Sequence, residues 1–259
     1  MRRIVGVTVM TAAIFGALGA GRVLAGTPFG GDDTGQISSN KNTLKCEESI
    51  AKAVGKAVGC IGTCTAGRVS GKLADDTAED NCEKNNAGKS CLEKFAASAA
   101  KAQSTDTSGG CNCVNVTTLS GVIEGDLDSM NNAVYCAAGT PFGGDDTGNI
   151  PDPKSATGKC ELSVAKAVSK AVGCIGKCTA SRASGKLADD TAEDACEKNN
   201  AGKSCLEKFT ASVTKAQSKD TSGGCNCIDA TTLAGTIETT LDAGNSLTYC
   251  GSPSGAFLN

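Results

Sequence analysis

The sequence predicts an all-α protein made of two tandem disulfide-crosslinked small helical bundles, with three to four helices each. Three observations predict this class. Apolar and cysteine positions recur with the period of a helix, eight cysteines recur at equivalent positions in two copies of one module, and aromatic residues make up only 3% of the 259-residue chain. Because a core of small side chains buries little apolar area, crosslinks are expected to supply much of the stability.

The first 25 residues are predicted to be a signal peptide. Arg2 and Arg3 precede an apolar run from Ile4 to Ala20, and the small residues up to Ala25 suit cleavage by signal peptidase. The run is short and rich in Gly and Ala for a membrane span, so a retained anchor helix is the lesser alternative. Without Arg2, Arg3 and Arg22, 22 basic residues face 28 acidic ones, a net charge of -6. We expect a secreted, extracellular protein (periplasm or cell surface as alternatives) with no membrane span in the mature chain.

Two copies of one module occupy the rest of the chain. Residues 46–136 and 160–250 are identical at 68 of 91 positions, and each cysteine recurs 114 residues later. The same string stands before each copy, at 26–35 and 139–148. The segment between this string and the first cysteine of the copy is one residue longer in the second copy than in the first. Since surface loops tolerate such differences, the sequence predicts Gly/Asp-rich linkers at 26–45 and 137–159 and a tail at 251–259.

Helical periodicity and capping signals place the first helices of each copy. From Thr43 to about Thr65 the apolar and cysteine positions form one narrow stripe, as expected of a helix that faces a core. A second helix is predicted to begin at Asp76-Thr-Ala-Glu79, where an acceptor side chain with Glu three residues later is a capping-box arrangement. Asn85–Gly88 is predicted to interrupt it, and a further piece to run from Lys89 to Gln103.

The last helix of the first copy is predicted from Thr117 or Thr118 to Tyr135. In the second copy Gly244 replaces Met130 and Leu247 replaces Ala133. The second copy thus loses a large side chain at one position of the helix and gains one three residues later. This exchange is compatible with a repacked core. The predicted apolar face of this helix consists of Leu119, Ile123, Leu127, Met130 and Val134.

The cysteines predict a disulfide framework of four bonds per copy, because an exported chain keeps an even number of them at unchanged positions. If three helices run up, down and up, we expect Cys64 to pair with Cys82. Cys46 is expected to pair with Cys111 or Cys113, and the other pairings stay open. The predicted disulfide cysteines are Cys46, Cys60, Cys64, Cys82, Cys91, Cys111, Cys113 and Cys136 with Cys160, Cys174, Cys178, Cys196, Cys205, Cys225, Cys227 and Cys250.

Two other uses of the cysteines stay open beside the structural one. Cys60 and Cys64 with Cys111 and Cys113 could supply four thiolates to zinc, although structural zinc sites favour other spacings and a reducing compartment. Alternatively, Cys111 and Cys113 could form an exchange-active disulfide, which would make the protein a thiol-disulfide oxidoreductase. We favour structural disulfides and predict no cofactor and no metal ligand.

Two charged features have both a binding and a structural interpretation. Asp32, Asp33, Asp145 and Asp146 carry hard oxygen ligands of the kind that calcium takes, but Gly, Asp and Thr also suit a solvated turn. A row of lysines on the first helix could bind an anion, but such a row is usually the wet face of an amphipathic helix. The lysines are Lys45, Lys52 and Lys56 in the first copy and Lys159, Lys166, Lys170 and Lys177 in the second.

No catalytic set is recognisable, so no enzyme is predicted. The chain has no histidine, which excludes His-dependent triads, and it has no phosphate loop, dinucleotide fingerprint or Gly-x-Ser-x-Gly. Its nearly balanced charge and few aromatic residues argue against nucleic acid as a partner. We predict a secreted structural, surface or binding protein with an unknown extracellular or cell-surface partner. The alternative is an extracellular carrier of a small apolar ligand held between the helices.

The lead-in Phe-Gly-Gly-Asp-Asp-Thr-Gly and the Cys-Glu…Val-Ala-Lys helix carry a resemblance over nearly the whole mature chain. In these features the chain resembles cysteine-rich, tandem-repeat exported proteins of environmental bacteria. The resemblance implies no activity. Plant lipid-transfer proteins also have eight cysteines, but they carry an adjacent Cys-Cys pair, whereas Cys82 and Cys91 stand apart here. Oligomeric state stays open.

Overall fold

The computed structural model describes residues 27–250, and the predicted signal peptide and tail lie outside this range. The described chain is mainly helical, with eight α-helices and two short antiparallel hairpins. The prediction of a helical protein is therefore confirmed in its main part, and the prediction that no strands occur is wrong. None of the helices between 27 and 250 is long and apolar enough to cross a membrane.

The same series of helices occurs in each copy. In the first copy the helices are α1 (Lys41–Val69), α2 (Asp76–Glu83), α3 (Cys91–Thr105) and α4 (Val116–Val134). In the second copy they are α5 (Ala156–Ala183), α6 (Asp190–Glu197), α7 (Cys205–Gln217) and α8 (Ala230–Thr248). A 3-10 turn precedes each last helix, at Gly110–Cys113 and Gly224–Cys227.

Side-chain caps explain where these helices begin. The Asn40 side chain accepts hydrogen bonds from the first backbone N–H groups of α1, so this helix starts inside the segment predicted to be a linker. Asp75, and not Asp76, caps α2. The capping box lies instead at α3, where the Ser90 side chain accepts from the Glu93 N–H and the Glu93 carboxylate accepts from the Ser90 N–H.

The two segments predicted to be linkers contain the hairpins. Strands β1 (Thr27–Gly30) and β2 (Asp33–Ile37) form the first, and β3 (Thr140–Gly143) and β4 (Asp146–Ile150) form the second. Consecutive glycines with positive φ make each tight turn, an arrangement that glycine adopts at little cost. The linker prediction is wrong here because Gly, Asp and Thr suit hairpin turns as well as loops.

Each hairpin packs on the end of the last helix of one copy. The Phe142 ring of the second hairpin contacts the Tyr135 ring, with centroids 5.3 Å apart, at the end of α4. The Phe29 ring of the first hairpin contacts the Tyr249 ring, with centroids 4.9 Å apart, at the end of α8. The second copy therefore receives its hairpin from the N-terminal end of the described chain.

The long helices α1 and α5 pack on each other and join the two copies. Their contact is close: a Cβ atom added to Gly62 would lie 2.9 Å from the Ser169 Oγ. Buried residues of both copies form one continuous cluster that includes Ile61 of α1 and Ile175 of α5. The copies are consequently not separate units on a flexible connection.

The described residues form eight disulfides, and two of these bonds join the copies. The expectation of four bonds within each copy is wrong, because the seventh cysteine of each copy pairs with the eighth of the other. Cys64–Cys82 and Cys46–Cys111 agree with the expected pairings. The bonds within copies are Cys46–Cys111, Cys60–Cys91, Cys64–Cys82, Cys160–Cys225, Cys174–Cys205 and Cys178–Cys196, and those between copies are Cys113–Cys250 and Cys136–Cys227.

Candidate ligand-binding groove

An apolar groove lies where the two copies meet. Residues of α1, α4, α5 and α8 line it, and its volume is about 440 Å³. Equivalent positions of the two copies face it from both sides, so the groove follows from the way in which the copies pack together. Three such pairs are Val58 and Val172, Ile123 and Ile237, and Leu127 and Leu241.

The apolar face of α4 lines this groove, and its first part also belongs to the core. Leu119 and Ile123 are buried, with 4% and 6% of their surface exposed. Leu127 and Met130 are half-buried and line the groove. Spacings of three and four residues place all four side chains on one face. The periodicity therefore identifies the face correctly, although part of it is not covered by other helices.

The replacement of Met130 by Gly244 changes the groove. Both residues line the groove, and a Cβ atom added to Gly244 would meet no atom within 4 Å. Leu247 also lines it, whereas the equivalent Ala133 is exposed. Met130 and Leu247 also pack against the buried cluster, so the exchange alters core packing as well and leaves space in the groove wall formed by α8.

The two copies diverge most in the helix that forms this wall. Nine of the 23 positions at which the copies differ lie between 120 and 134. Sequence reasoning did not identify the groove, and this concentration of differences was the available signal. A duplicated protein that uses equivalent helices differently is expected to change them more than the shared frame.

Three lysines stand at the groove and give it a positive rim. Lys52 and Lys56 of α1 and Lys177 of α5 are exposed and line it. Asp126 is the one carboxylate among the described lining residues, and burial raises its pKa. The side chains at the rim therefore favour a ligand with a negative charge next to its apolar part.

The other lysines of the predicted row lie elsewhere. Lys159, Lys166 and Lys170 line a cleft of about 570 Å³ between α5 and α7, together with Lys215 and Lys219. In the first copy Lys45 is exposed on α1. Of the lysines predicted to form one row, three thus stand at the groove, three line this cleft, and Lys45 lines neither.

No cysteine of the described chain has a free thiol. Cys111 and Cys113 are not bonded to each other, because their partners are Cys46 and Cys250. An exchange-active Cys111–Cys113 disulfide is therefore not formed. A zinc site that used both of them with Cys60 and Cys64 would require four disulfides to be reduced.

The paired aspartates of the hairpins point in different directions. Asp32 and Asp145 are exposed and pair with Lys198 and Lys84, which lowers the pKa of both carboxyls. Asp33 and Asp146 face inward, accept hydrogen bonds from Asn245 and Asn131, and have their pKa raised to about 6 by burial. Neighbours in the sequence thus belong to different electrostatic environments.

The chain matches no protein-family model, no curated protein and no solved structure.

Proposed function

We propose that this chain is an exported, non-enzymatic binding protein that carries a single-chain anionic amphiphile, such as a fatty acid, in the groove between its two copies. The observation that carries the proposal is the apolar groove of about 440 Å³. This volume falls within the range of roughly 300–1,000 Å³ that is typical of small-molecule sites. Such a concave apolar surface, bordered by charged side chains, is typical of a binding site.

The charges at the rim favour an anionic ligand. Lys52, Lys56 and Lys177 are close enough to the apolar lining to meet a carboxylate whose acyl chain lies along α4 and α8. Lys177 stands where the first copy has Thr63, so the additional positive charge belongs to one copy only. Because the ammonium groups are exposed, we expect them to contribute modestly to affinity and more to orientation.

Export is supported by the disulfides and by the apolar N-terminal run. Disulfides persist in oxidising compartments, and eight of them crosslink residues 46 to 250. A frame held in this way keeps the groove open without a ligand, which lowers the conformational cost of binding. A purely structural or surface role is the competing proposal, and the binding experiment below separates the two.

The experiment is a fluorescence titration of the oxidised chain 26–259 with a fluorescent long-chain fatty acid. Saturable one-to-one binding is expected. Gly244→Met introduces the side chain that the first copy has at the equivalent position, into open space, and should weaken binding at least tenfold. Gly121→Met is the matched control, since Gly121 is exposed on α4, does not line the groove and has no atom near its added Cβ.

Two further arms define the ligand. Replacing Lys52, Lys56 and Lys177 by Gln should weaken binding of the fatty acid but not of the corresponding fatty alcohol. A chain that ends at Cys250 should bind as well as the longer one. The proposal is contradicted if binding is not saturable, if Gly244→Met binds as tightly as the parent chain, or if only the shortened chain binds, since the tail would then be the occupant of the groove.

A further inference from the structure

Beside each hairpin, five carboxylates from three elements of the chain lie near enough to act on one another electrostatically. In the first copy α2 supplies three of them, α4 one and β4 one. In the second copy they come from α6, α8 and β2. We call these groups the carboxylate clusters: Asp76, Glu79, Glu83, Asp128 and Asp146 form the first, and Asp190, Glu193, Glu197, Asp242 and Asp33 form the second.

The first carboxylate cluster is largely buried and has little compensating positive charge. Glu79, Glu83 and Asp128 have 0%, 1% and 5% of their surface exposed. Among the described residues the cation that reaches it is Arg68, whose Nε lies 3.9 Å from a Glu79 oxygen and makes no hydrogen bond to it. Lys84 lies on the outer side of the cluster, where its ammonium group forms ion pairs with Asp80, Glu124 and Asp145. Buried carboxylates without a partner are costly.

Several oxygens of this cluster have no hydrogen-bond partner. Neither carboxylate oxygen of Glu79 accepts a hydrogen bond, and neither does the Oδ1 of Asp128. The Tyr135 hydroxyl, on a residue that is 1% exposed, also has no partner; burial raises its pKa, and Glu161 and Glu79 raise it further. In the second copy the equivalent oxygens of Glu193, Asp242 and Tyr249 have no partner among the ordinary donors, and the Asp33 and Glu193 carboxyl groups lie close enough to interact directly.

The second copy assembles its cluster from a different part of the chain. Asp146 follows the first copy, whereas its counterpart Asp33 precedes it and reaches the second copy through the N-terminal hairpin. All five carboxylates are nevertheless present in both clusters, although the copies differ at 23 of 91 positions. Both clusters thus contain the same five carboxylates, although the hairpin aspartate comes from a different part of the chain in each.

We propose that each carboxylate cluster binds one calcium ion, so that the chain takes up two. Calcium prefers six to eight oxygen ligands and accepts irregular geometry, which suits converging carboxylates. The chain has no histidine, and the described cysteines are all bonded, so a metal that needs nitrogen or sulfur is disfavoured. Magnesium is also disfavoured, since it retains water and uses few carboxylates. In the first cluster Glu79 is central: burial raises its pKa, Asp146, Asp76 and Asp128 raise it further, and Arg68 lowers it.

The exposed aspartates of the hairpins lie outside the proposed sites. Oxygens of Asp32, Glu238 and Asp242 lie within 4.8 Å of one another. However, the Lys198 ammonium is 2.5 Å from Asp32 and 2.6 Å from Glu238 and already occupies this outer position. The calcium ion is therefore assigned to the inner carboxylates, with Lys198 on the outer side.

The test is equilibrium dialysis of the oxidised chain 26–259 against 1 mM CaCl2 after treatment with EDTA, followed by metal analysis. The parent chain should retain two calcium ions. Glu79→Gln and Glu193→Gln should each retain one, and the double variant none. Asp80→Asn is the matched control, because Asp80 lies next to Glu79 in α2 but pairs with Lys84 at 3.1 Å, and it should retain two.

Thermal unfolding separates calcium binding from a purely structural role of these glutamates. In EDTA the double variant should be at least as stable as the parent, because it removes one carboxylate from each group of mutually repelling buried carboxylates. Addition of 1 mM CaCl2 should raise the Tm of the parent by several degrees and leave that of the double variant unchanged. The same concentration of MgCl2 should have little effect. The inference is overturned if the parent retains no calcium, or if the double variant retains as much as the parent.

Discussion

Cys113 is bonded to Cys250, 137 residues further along the chain, so the turn before α4 is covalently attached to the end of α8. The reciprocal bond joins Cys136 to Cys227. Together they fasten the last helix of each copy to the turn before the last helix of the other. The groove lies between these two helices, and the crosslinks therefore hold its walls.

The bonds between copies predict how a cleaved chain behaves. A specific protease site inserted into the loop 151–155 should yield two fragments that migrate as one species on a non-reducing gel and separate only after reduction. Peptide mapping should recover Cys113 linked to Cys250. If the fragments separate without reductant, the eight disulfides lie within the copies and the arrangement described above is wrong.

The hairpin before the first copy is predicted to stabilise the second. Phe29 is 1% exposed and contacts Tyr249. Phe29→Ala should lower the free energy of unfolding by about 3–5 kcal/mol, the usual cost of removing a buried aromatic ring. Urea denaturation would measure it. Phe142→Ala, at the equivalent contact with Tyr135, should cost a similar amount. A flexible N-terminal linker would give no change for Phe29→Ala.

Gly148 is predicted to be required for the close approach of β4 to α4. Its φ is +88°, and an added Cβ atom would lie 2.9 Å from the Tyr135 carbonyl oxygen. Gly71 has a φ of +73° but open space around it. Gly71→Ala should therefore introduce backbone strain without a steric clash and lower the free energy of unfolding by about 1–2 kcal/mol. Gly148→Ala should destabilise the protein by more than Gly71→Ala in thermal unfolding. Equal losses would show that the steric contact is unimportant.

The capping boxes predict a component of acid sensitivity. The Glu207 carboxylate accepts backbone hydrogen bonds at the start of α7, which lowers its pKa to about 2, against about 4.3 in an unfolded chain. Because the folded-state pKa is the lower one, this stabilisation is present above about pH 4.3 and is lost as the pH falls towards 2.

Glu207→Gln should therefore be less stable than the parent at pH 7, and the difference should shrink as the pH approaches 2. Denaturation at several pH values, with the pKa of Glu207 followed by NMR, would check this. Glu93→Gln should behave alike, since the pKa of Glu93 is also lowered to about 2. A measured pKa near 4 for either glutamate would contradict the prediction.

Local features of the fold were predictable, and long-range ones were not. The stripe along α1 and the apolar face of α4 follow from side-chain periodicity, which depends on residues a few positions apart. The hairpins were missed because their Gly-Asp turns resemble loops when no partner is considered. Asp76 and Glu79 indicate a helix start when only local sequence is considered, because the burial of Glu79 depends on a hairpin that lies more than 60 residues away.

The sequence by itself determined the helices, the duplication and the number of cysteines available for crosslinking. Only the tertiary structure decided which copy each crosslink reaches, where each hairpin packs and that a groove lies between the copies. The physical reason is the duplication itself. The segment Gly-Gly-Cys-Asn-Cys around Cys113 recurs unchanged around Cys227, so local sequence cannot distinguish a bond within a copy from a bond between copies. That choice depends on which sulfur atoms the packing of α1 against α5 brings within bonding distance.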